Sequence, residues 1–269
     1  MSPIRIWYQS YVDEPNGRDY WAQLRRHLDR LVDPGTSVDI KGITPHDSFV
    51  HPLVEWRCAR EMICNAIQAE REGYDAVVVG HFQDAGLYEA RSAVGIPVLG
   101  LGETTMLHAC TLGQRISLIS LKHGYEAWFR QQITKYGLQS RVVDMHRVQA
   151  PPDLYAAAWN SKEKAEELFA VLRDQLRPLV QNGAEVLIPT GGGPMTMLSP
   201  MREVDGAPLL DGVAITVKMA EVAVKLKRLS GIGVSRAGGF RQAPPFVIEE
   251  FLAHPRGLGA AASESAVRG

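Results

Sequence analysis

The stretch DAVVVGHFQDAG, residues 75–86, decides the fold and contains the most informative side chain of the sequence, His81. Its first half is a short apolar run rich in valine, as expected for a strand that is buried on both faces. A glycine, a short polar turn and a helical pattern follow. Strands that lead into helices in this way form parallel sheets, whose carboxyl ends carry the functional groups. The sequence therefore predicts that His81 lies at such a strand end.

Short apolar runs alternate with longer helical patterns along most of the chain. Strands are predicted at 4–8, 38–42, 75–80, 96–101, 115–121, 141–145, 185–190 and 207–210, and helices at 17–32, 53–72, 123–136, 161–182 and 213–229. This alternation predicts an α/β protein with parallel sheets covered by helices.

The sequence also repeats itself weakly. Residues 73–81 match 183–191, and 96–100 match 207–211 in the same order. The repeat predicts two pseudo-symmetric Rossmann-like domains with the active site in the cleft between them. We assign 1–103 plus about 212–253 to the first domain and 104–211 to the second. The segment 254–269 is poor in side chains that can pack, so we expect a disordered tail.

Composition limits the classes of function. The chain has 269 residues and a formal net charge of −1, which gives no electrostatic basis for binding nucleic acid or a membrane surface. No apolar run approaches the ~20 residues of a membrane span, and the sequence enters its first predicted strand without a signal peptide. Its three cysteines are odd in number and lack metal-site spacing, so we expect a reducing, cytoplasmic location.

Four segments carry a family resemblance: 75–86, 96–109, 113–137 and 183–225. They resemble the hydantoin racemase branch of the aspartate/glutamate racemase superfamily. The resemblance implies a homo-oligomer of two-domain subunits that acts on a small molecule without a cofactor. It also implies two catalytic cysteines, one from each half, and their positions fall on His81 and Gly191. Racemisation by two thiols is therefore excluded for this sequence.

His81 and the glycine turn opposite it are the principal site candidates. An imidazole with an ordinary pKa of ~6.5 exchanges protons near neutrality, so His81 is predicted to be a general acid or base. Thr190, Gly191, Gly192 and Gly193 follow the corresponding strand. Glycines let backbone N–H groups approach a ligand closely, so this turn is predicted to contact a carboxylate or a developing oxyanion.

Further candidates come from the other strand ends and one loop. Gln9, Ser10, Asp84 and Ser120 are predicted to bind substrate. His51 is the second acid–base candidate, because it could supply the group that Gly191 lacks. No paired metal ligands stand near His81 in the sequence, so no metal site is predicted.

These residues predict a cofactor-independent enzyme with His81 as general acid or base. Its substrate would be a small carbonyl or carboxylate compound or a hydantoin-like ring, and the reaction an isomerase or racemase type of proton transfer. Hydrolysis and decarboxylation or related lyase chemistry remain open, as does a metal-dependent hydrolase. A ligand-binding protein without catalysis is the alternative outside enzymes.

Overall fold

The computed structural model describes residues 2–254, so the predicted disordered tail lies outside the described residues except for His254. The strands are β1 (Ile4–Gln9), β2 (Thr36–Lys41), β3 (Ala76–Val79), β4 (Val98–Gly100), β5 (Ile116–Ser120), β6 (Val142–Arg147), β7 (Val186–Pro189), β8 (Glu203–Val204) and β9 (Ala207–Pro208). The helices are α1 (Arg18–Leu31), α2 (Pro52–Arg71), α3 (Leu87–Ala93), α4 (Leu101–Ala109), α5 (Glu126–Lys135), α6 (Pro152–Ala158), α7 (Lys162–Gln181), α8 (Gly192–Leu198), α9 (Gly212–Ser230) and α10 (Pro245–Ala253), with a 3-10 turn at Ser199–Met201.

Two parallel sheets confirm the α/β fold class. The first has the order β2-β1-β3-β4 and the second the order β6-β5-β7. A parallel β-bridge between Leu187 and Leu209 places residue 209 beside β7, as a fourth position in the second sheet. Strand order is thus the same in both halves, and β3 corresponds to β7. This correspondence agrees with the pseudo-symmetry expected from the repeat.

The chain returns to the first half through α9. Asp211 accepts a hydrogen bond from the Ala214 N–H at 3.0 Å and caps this helix. The helix then packs against α4 and against strands β1, β3 and β4 of the first sheet. The assignment of residues from about 212 onward to the first domain stays a prediction.

One of the three hydrophobic clusters in the described part of the chain spans both halves. This buried cluster includes Ile6 and Val78 of the first sheet, Leu118 and Ile188 of the second, and Val217 of α9. Burial of this kind contributes about 25 cal/mol per Å² of apolar surface, so the halves stabilise each other.

The strand predicted at 207–210 differs from expectation. Only 207–208 form a strand, and it pairs antiparallel with β8 in a small hairpin. Asp205 and Gly206 both have positive φ and form the turn of the hairpin.

Among residues 2–254, no helix combines the length and apolar character that a membrane crossing requires.

Candidate active site

A cleft of about 750 Å³ opens where the strand ends of the two halves meet. Its lining includes Ser10, His81, Ser120, Thr190 and the three glycines 191–193. A volume in this range suits a small organic molecule. The structure therefore brings together most of the residues that the sequence singles out, and it does so in one cavity.

His81 follows β3, and a carboxylate and an aromatic ring contact its imidazole. Its Nε2 lies 3.1 and 3.2 Å from the two carboxylate oxygens of Glu55, a residue of the first turn of α2. Asp47 is farther away, with Oδ2 at 4.0 Å from the same nitrogen. The ring of Tyr11 stacks on the imidazole with 4.3 Å between centroids and 4° between planes. These contacts fix the orientation of the imidazole.

The carboxylates determine the charge of this site. Burial lowers the pKa of His81, but the attraction of Glu55, its hydrogen bond and the more distant Asp47 outweigh burial and raise the pKa above its ordinary value. Burial raises the pKa of Glu55, and the neighbouring imidazolium reverses that effect and lowers it. Both shifts favour an ion pair, in which His81 carries a proton shared with Glu55.

The same three side chains have the composition of a cation site. Asp47, Glu55 and His81 each offer one ligand atom within 4.8 Å of the others, and within the described part of the chain they are the one such group. Two carboxylates and an imidazole suit a divalent transition metal. They come from the loop before α2, from α2 and from the end of β3, which explains why no spacing in the sequence indicates them.

The glycine turn lies opposite His81. Gly191 has φ of +124° and ψ of 147°, a conformation that residues with a Cβ rarely adopt. A Cβ on Gly192 would lie 3.1 Å from the carbonyl oxygen of Gly80, the residue before His81. The two strand ends therefore face each other at close range, and the turn contributes backbone rather than side chains.

Tyrosine hydroxyls surround this glycine turn. The Oη of Tyr20, from the first turn of α1, lies 2.9 Å from the position of a Cβ on Gly192, and that of Tyr8 lies 3.4 Å from it. Burial raises the pKa of Tyr20 to about 12, against the opposing effects of Ser10 and Tyr8. The phenol is therefore a neutral hydrogen-bond donor at physiological pH.

Ser10 and Ser120 occupy equivalent positions in the two halves. The Ser10 hydroxyl donates to the Val12 carbonyl at 2.7 Å and accepts from its N–H at 3.1 Å. Ser120 makes the same pair of bonds with Lys122, at 2.7 and 3.3 Å. Both serines line the cleft, and both stabilise the turn that follows their strand. Thr190 also lines the cleft while its hydroxyl donates to the Ile119 carbonyl at 3.1 Å.

Gln9 lies in the core rather than in the cleft, which corrects its placement among the substrate-binding residues. Its Oε1 accepts hydrogen bonds from Trp7 and Asn65, and its Nε2 donates to the carbonyls of Ser10 and Lys41. The side chain is 0 % exposed, so its polar atoms are committed to the protein.

Asp84 also lies outside the cleft lining, which corrects its placement among the substrate-binding residues. Its carboxylate accepts from the N–H groups of Gly102 and Glu103, at 3.0 and 2.6 Å, and from Gln132 and Tyr136 at 3.0 and 2.7 Å. It caps α4 and ties it to α5. Burial nevertheless raises its pKa from 3.8 to about 6.

His51 is exposed at the surface and caps α2. Its Nδ1 accepts the hydrogen bond of the Leu53 N–H at 3.1 Å, and the residue is not among those that line the cleft. This placement corrects the expectation that His51 supplies the second acid–base group. The cysteines do not replace it, since Cys58, Cys64 and Cys110 are likewise outside the lining of the cleft.

Comparison with known proteins places the chain in a family. The model of the Asp/Glu/hydantoin racemase family matches residues 18–220. A hydantoin racemase of Rhizobium meliloti is 27% identical over 160 residues, which are 60% of this chain and 64% of that protein. A hydantoin racemase of Pseudomonas sp. (strain NS671) is 26% identical over 160 residues, or 59% of this chain and 62% of that protein. The match thus spans less than two thirds of the length of either relative.

Solved structures show the same fold. The allantoin racemase from Klebsiella pneumoniae superposes with a TM-score of 0.72 at 22% identity, covering 89% of this chain and 94% of that one. The allantoin racemase from Pseudomonas fluorescens gives a TM-score of 0.71 at 20% identity, with 90% and 98% covered. A mutant of arylmalonate decarboxylase gives 0.56 at 14% identity, with 89% and 97% covered. The family model covers most of the described fold, and the chain belongs to the Asp/Glu/hydantoin racemase family.

Proposed function

We propose that this protein is a cofactor-independent enzyme that moves a proton on the carbon next to a carbonyl group. The substrate is a small carboxylate, amide or hydantoin-like ring bound in the cleft. The observation that carries the proposal is His81, which lines the cleft together with the glycine turn and is hydrogen-bonded to Glu55. Family membership supports racemase-type chemistry, while the residue at position 81 calls for an imidazole instead of a thiol.

Glu55 determines which atom of His81 reacts. When His81 is neutral, a hydrogen bond from Nε2–H to the carboxylate leaves Nδ1 as the nitrogen that can accept a proton from the substrate. The imidazolium that forms gains from the nearby negative charge, in the manner of other histidine–carboxylate pairs. Glu55 therefore acts as a positioning residue and His81 as the catalytic residue.

The glycine turn stabilises the negative charge that develops on the substrate. Removing the proton places negative charge on the carbonyl oxygen, and backbone N–H groups that are free of side-chain bulk can approach that oxygen. Ser10, Ser120 and Thr190 border the same cavity and add hydroxyl groups to its wall. A ring or chain with two polar ends can therefore span both halves.

Deuterium exchange tests the proposal directly. Substituted hydantoins and allantoin, the compounds that the relatives' names indicate, are incubated with the protein in D2O, and the hydrogen on the reacting carbon is followed by NMR. We expect exchange that falls by about 10²–10⁴-fold in His81→Gln, the range for loss of a general acid–base group. His51→Asn keeps a side chain that caps α2 and serves as the control with unchanged exchange. No exchange above background with any candidate would refute the proposal.

The Asp47–Glu55–His81 cluster favours a second candidate, hydrolysis assisted by a divalent metal. A metal held by these ligands would lower the pKa of a bound water and generate a nucleophile in the cleft. Elemental analysis of the purified protein, with Glu55→Gln and Asp47→Asn as controls, separates the two candidates. Stoichiometric metal that is lost in both variants, together with hydrolysis that requires it, would favour the hydrolase.

A further inference from the structure

Racemisation or epimerisation needs a proton donor on the face of the substrate opposite to the base. The family resemblance places a side chain for this purpose at position 191, where this sequence has glycine. His51, the other acid–base candidate, does not fill the gap, because it is exposed and caps a helix. Asp84 does not fill it either, because its carboxylate accepts four hydrogen bonds outside the cleft lining. A donor on this face must therefore come from another element of the fold.

Tyr20 borders the glycine turn, next to the position where the resemblance implies the second side chain. The residue lines the cleft, and its Oη and the carbonyl of Gly80 both approach the point where a Cβ of Gly192 would stand, at 2.9 and 3.1 Å. The phenol therefore borders the glycine turn from the side of α1, facing the strand end that carries His81. A side chain at position 192 would block this approach, so the glycine makes room for the hydroxyl.

Tyr8 gives a second, independent indication. The side chain is 0 % exposed, and among the described residues its hydroxyl finds no partner at normal hydrogen-bond geometry. Buried hydroxyls without partners are uncommon, since each costs free energy unless it is used. This hydroxyl lies next to the Tyr20 phenol, close enough for each to influence the pKa of the other. It is placed to donate to Tyr20 when the latter has given up its proton.

We propose that Tyr20 donates a proton to the substrate on the face opposite to His81, with Tyr8 stabilising the phenolate that results. This inference rests on the proposed function. Nδ1 of His81 takes the proton from the carbon, and the C–H electron pair moves into the carbonyl to give an enolate. The Tyr20 O–H bond then breaks, and its proton forms the new C–H bond on the other face. His81 releases its proton to water and Tyr20 regains one from water.

The two halves of this reaction can be observed separately. Each enantiomer of a substrate is incubated in D2O, with deuterium entry read by NMR and inversion read by chiral chromatography. In Tyr20→Phe we expect inversion to fall by about 10²-fold or more. Deuterium continues to enter the one enantiomer whose hydrogen faces His81, because the imidazole can return deuterium to the same face. His81→Gln loses exchange of that enantiomer as well as inversion.

Two further variants complete the test. Tyr88→Phe removes a phenol that lies on α3 outside the cleft lining, and it is expected to leave exchange and inversion unchanged. Tyr8→Phe removes the unpartnered hydroxyl with little risk to folding, and it is expected to reduce inversion about tenfold while exchange continues. Inversion at the normal rate in Tyr20→Phe, or equal loss of exchange and inversion for both enantiomers, would overturn the role of Tyr20 alone. Absence of exchange with the unmodified protein would overturn the proposed function, and this inference with it.

Discussion

The carboxyl group of Asp84 makes the stability of this protein depend on pH in a direction opposite to that of most aspartates. Burial raises its pKa from 3.8 to about 6, because four hydrogen-bond donors only partly compensate for the loss of water. Between these two values the folded state binds one more proton than the unfolded state. Stability therefore falls as pH rises through this window and levels off above the folded-state pKa.

The magnitude follows from the two pKa values. The rise from 3.8 to about 6 corresponds to about 3 kcal/mol in total, at about 1.36 kcal/mol per pKa unit. About 2 kcal/mol of this is lost between about pH 4.5 and about pH 7.5, a range convenient for measurement. Asp84→Asn cannot ionise, so its own cost, an amide facing four donors, does not change with pH.

Denaturant unfolding of both proteins at a series of pH values measures this effect. Other groups titrate in both proteins alike, so the difference in unfolding free energy isolates residue 84. We expect the advantage of the unmodified protein over Asp84→Asn to shrink by about 2 kcal/mol over the measured range. A difference that stays constant, or that grows with pH, would show that the carboxyl group is not held in a costly ionised state.

Three other outcomes follow from the structure. Glu55→Gln should move the acid limb of the pH–rate profile to lower pH, because the carboxylate that raises the pKa of His81 is removed. An acid limb at unchanged pH would show that Glu55 does not control the pKa of His81. Gly191→Cys should lower the unfolding free energy by about 1–3 kcal/mol, since φ of +124° strains any residue with a Cβ. An unchanged midpoint of thermal denaturation would contradict this. Gln9→Ala should lower the unfolding free energy by about 1–3 kcal/mol, because it leaves the buried donor of Asn65 unpaired. The KM measured for a substrate should stay the same, and a large rise in KM would indicate that Gln9 binds substrate.

The sequence predicted the strand ends well because local patterns determine them. The valine run before His81 and the apolar run before Thr190 become the corresponding strands β3 and β7, and both ends line the cleft. Neighbouring residues on a strand point to opposite faces, however, and a strand buried on both sides gives no polarity pattern to tell the faces apart. Gln9 and Ser10 were therefore expected in the site together, although only Ser10 lines it.

Residues that approach the site from other elements could not be predicted from local sequence patterns. Glu55 lies in the first turn of α2, where the helix dipole favours a carboxylate whether or not it has a role in the site. Its contact with His81 depends on how that helix crosses the end of β3, which no spacing in the sequence encodes. Tyr20 and Asp47 were missed for the same reason. Asp84 was expected to bind substrate, but its backbone has a positive φ of 54° and its carboxylate accepts hydrogen bonds from the first turn of α4.

The arrangement around His81 favours an enzyme over a protein that only binds a ligand. Placing an imidazole and two carboxylates in a half-buried cluster costs folding free energy, because each charge loses part of its hydration. A binding protein could hold a neutral ring with hydroxyls and backbone groups alone, and the cleft already has these. Two titratable groups that shift each other's pKa values are instead typical of sites that transfer protons. Glu55→Gln distinguishes the two cases: a pure binding protein would keep its ligand affinity and gain stability, whereas an enzyme would lose turnover.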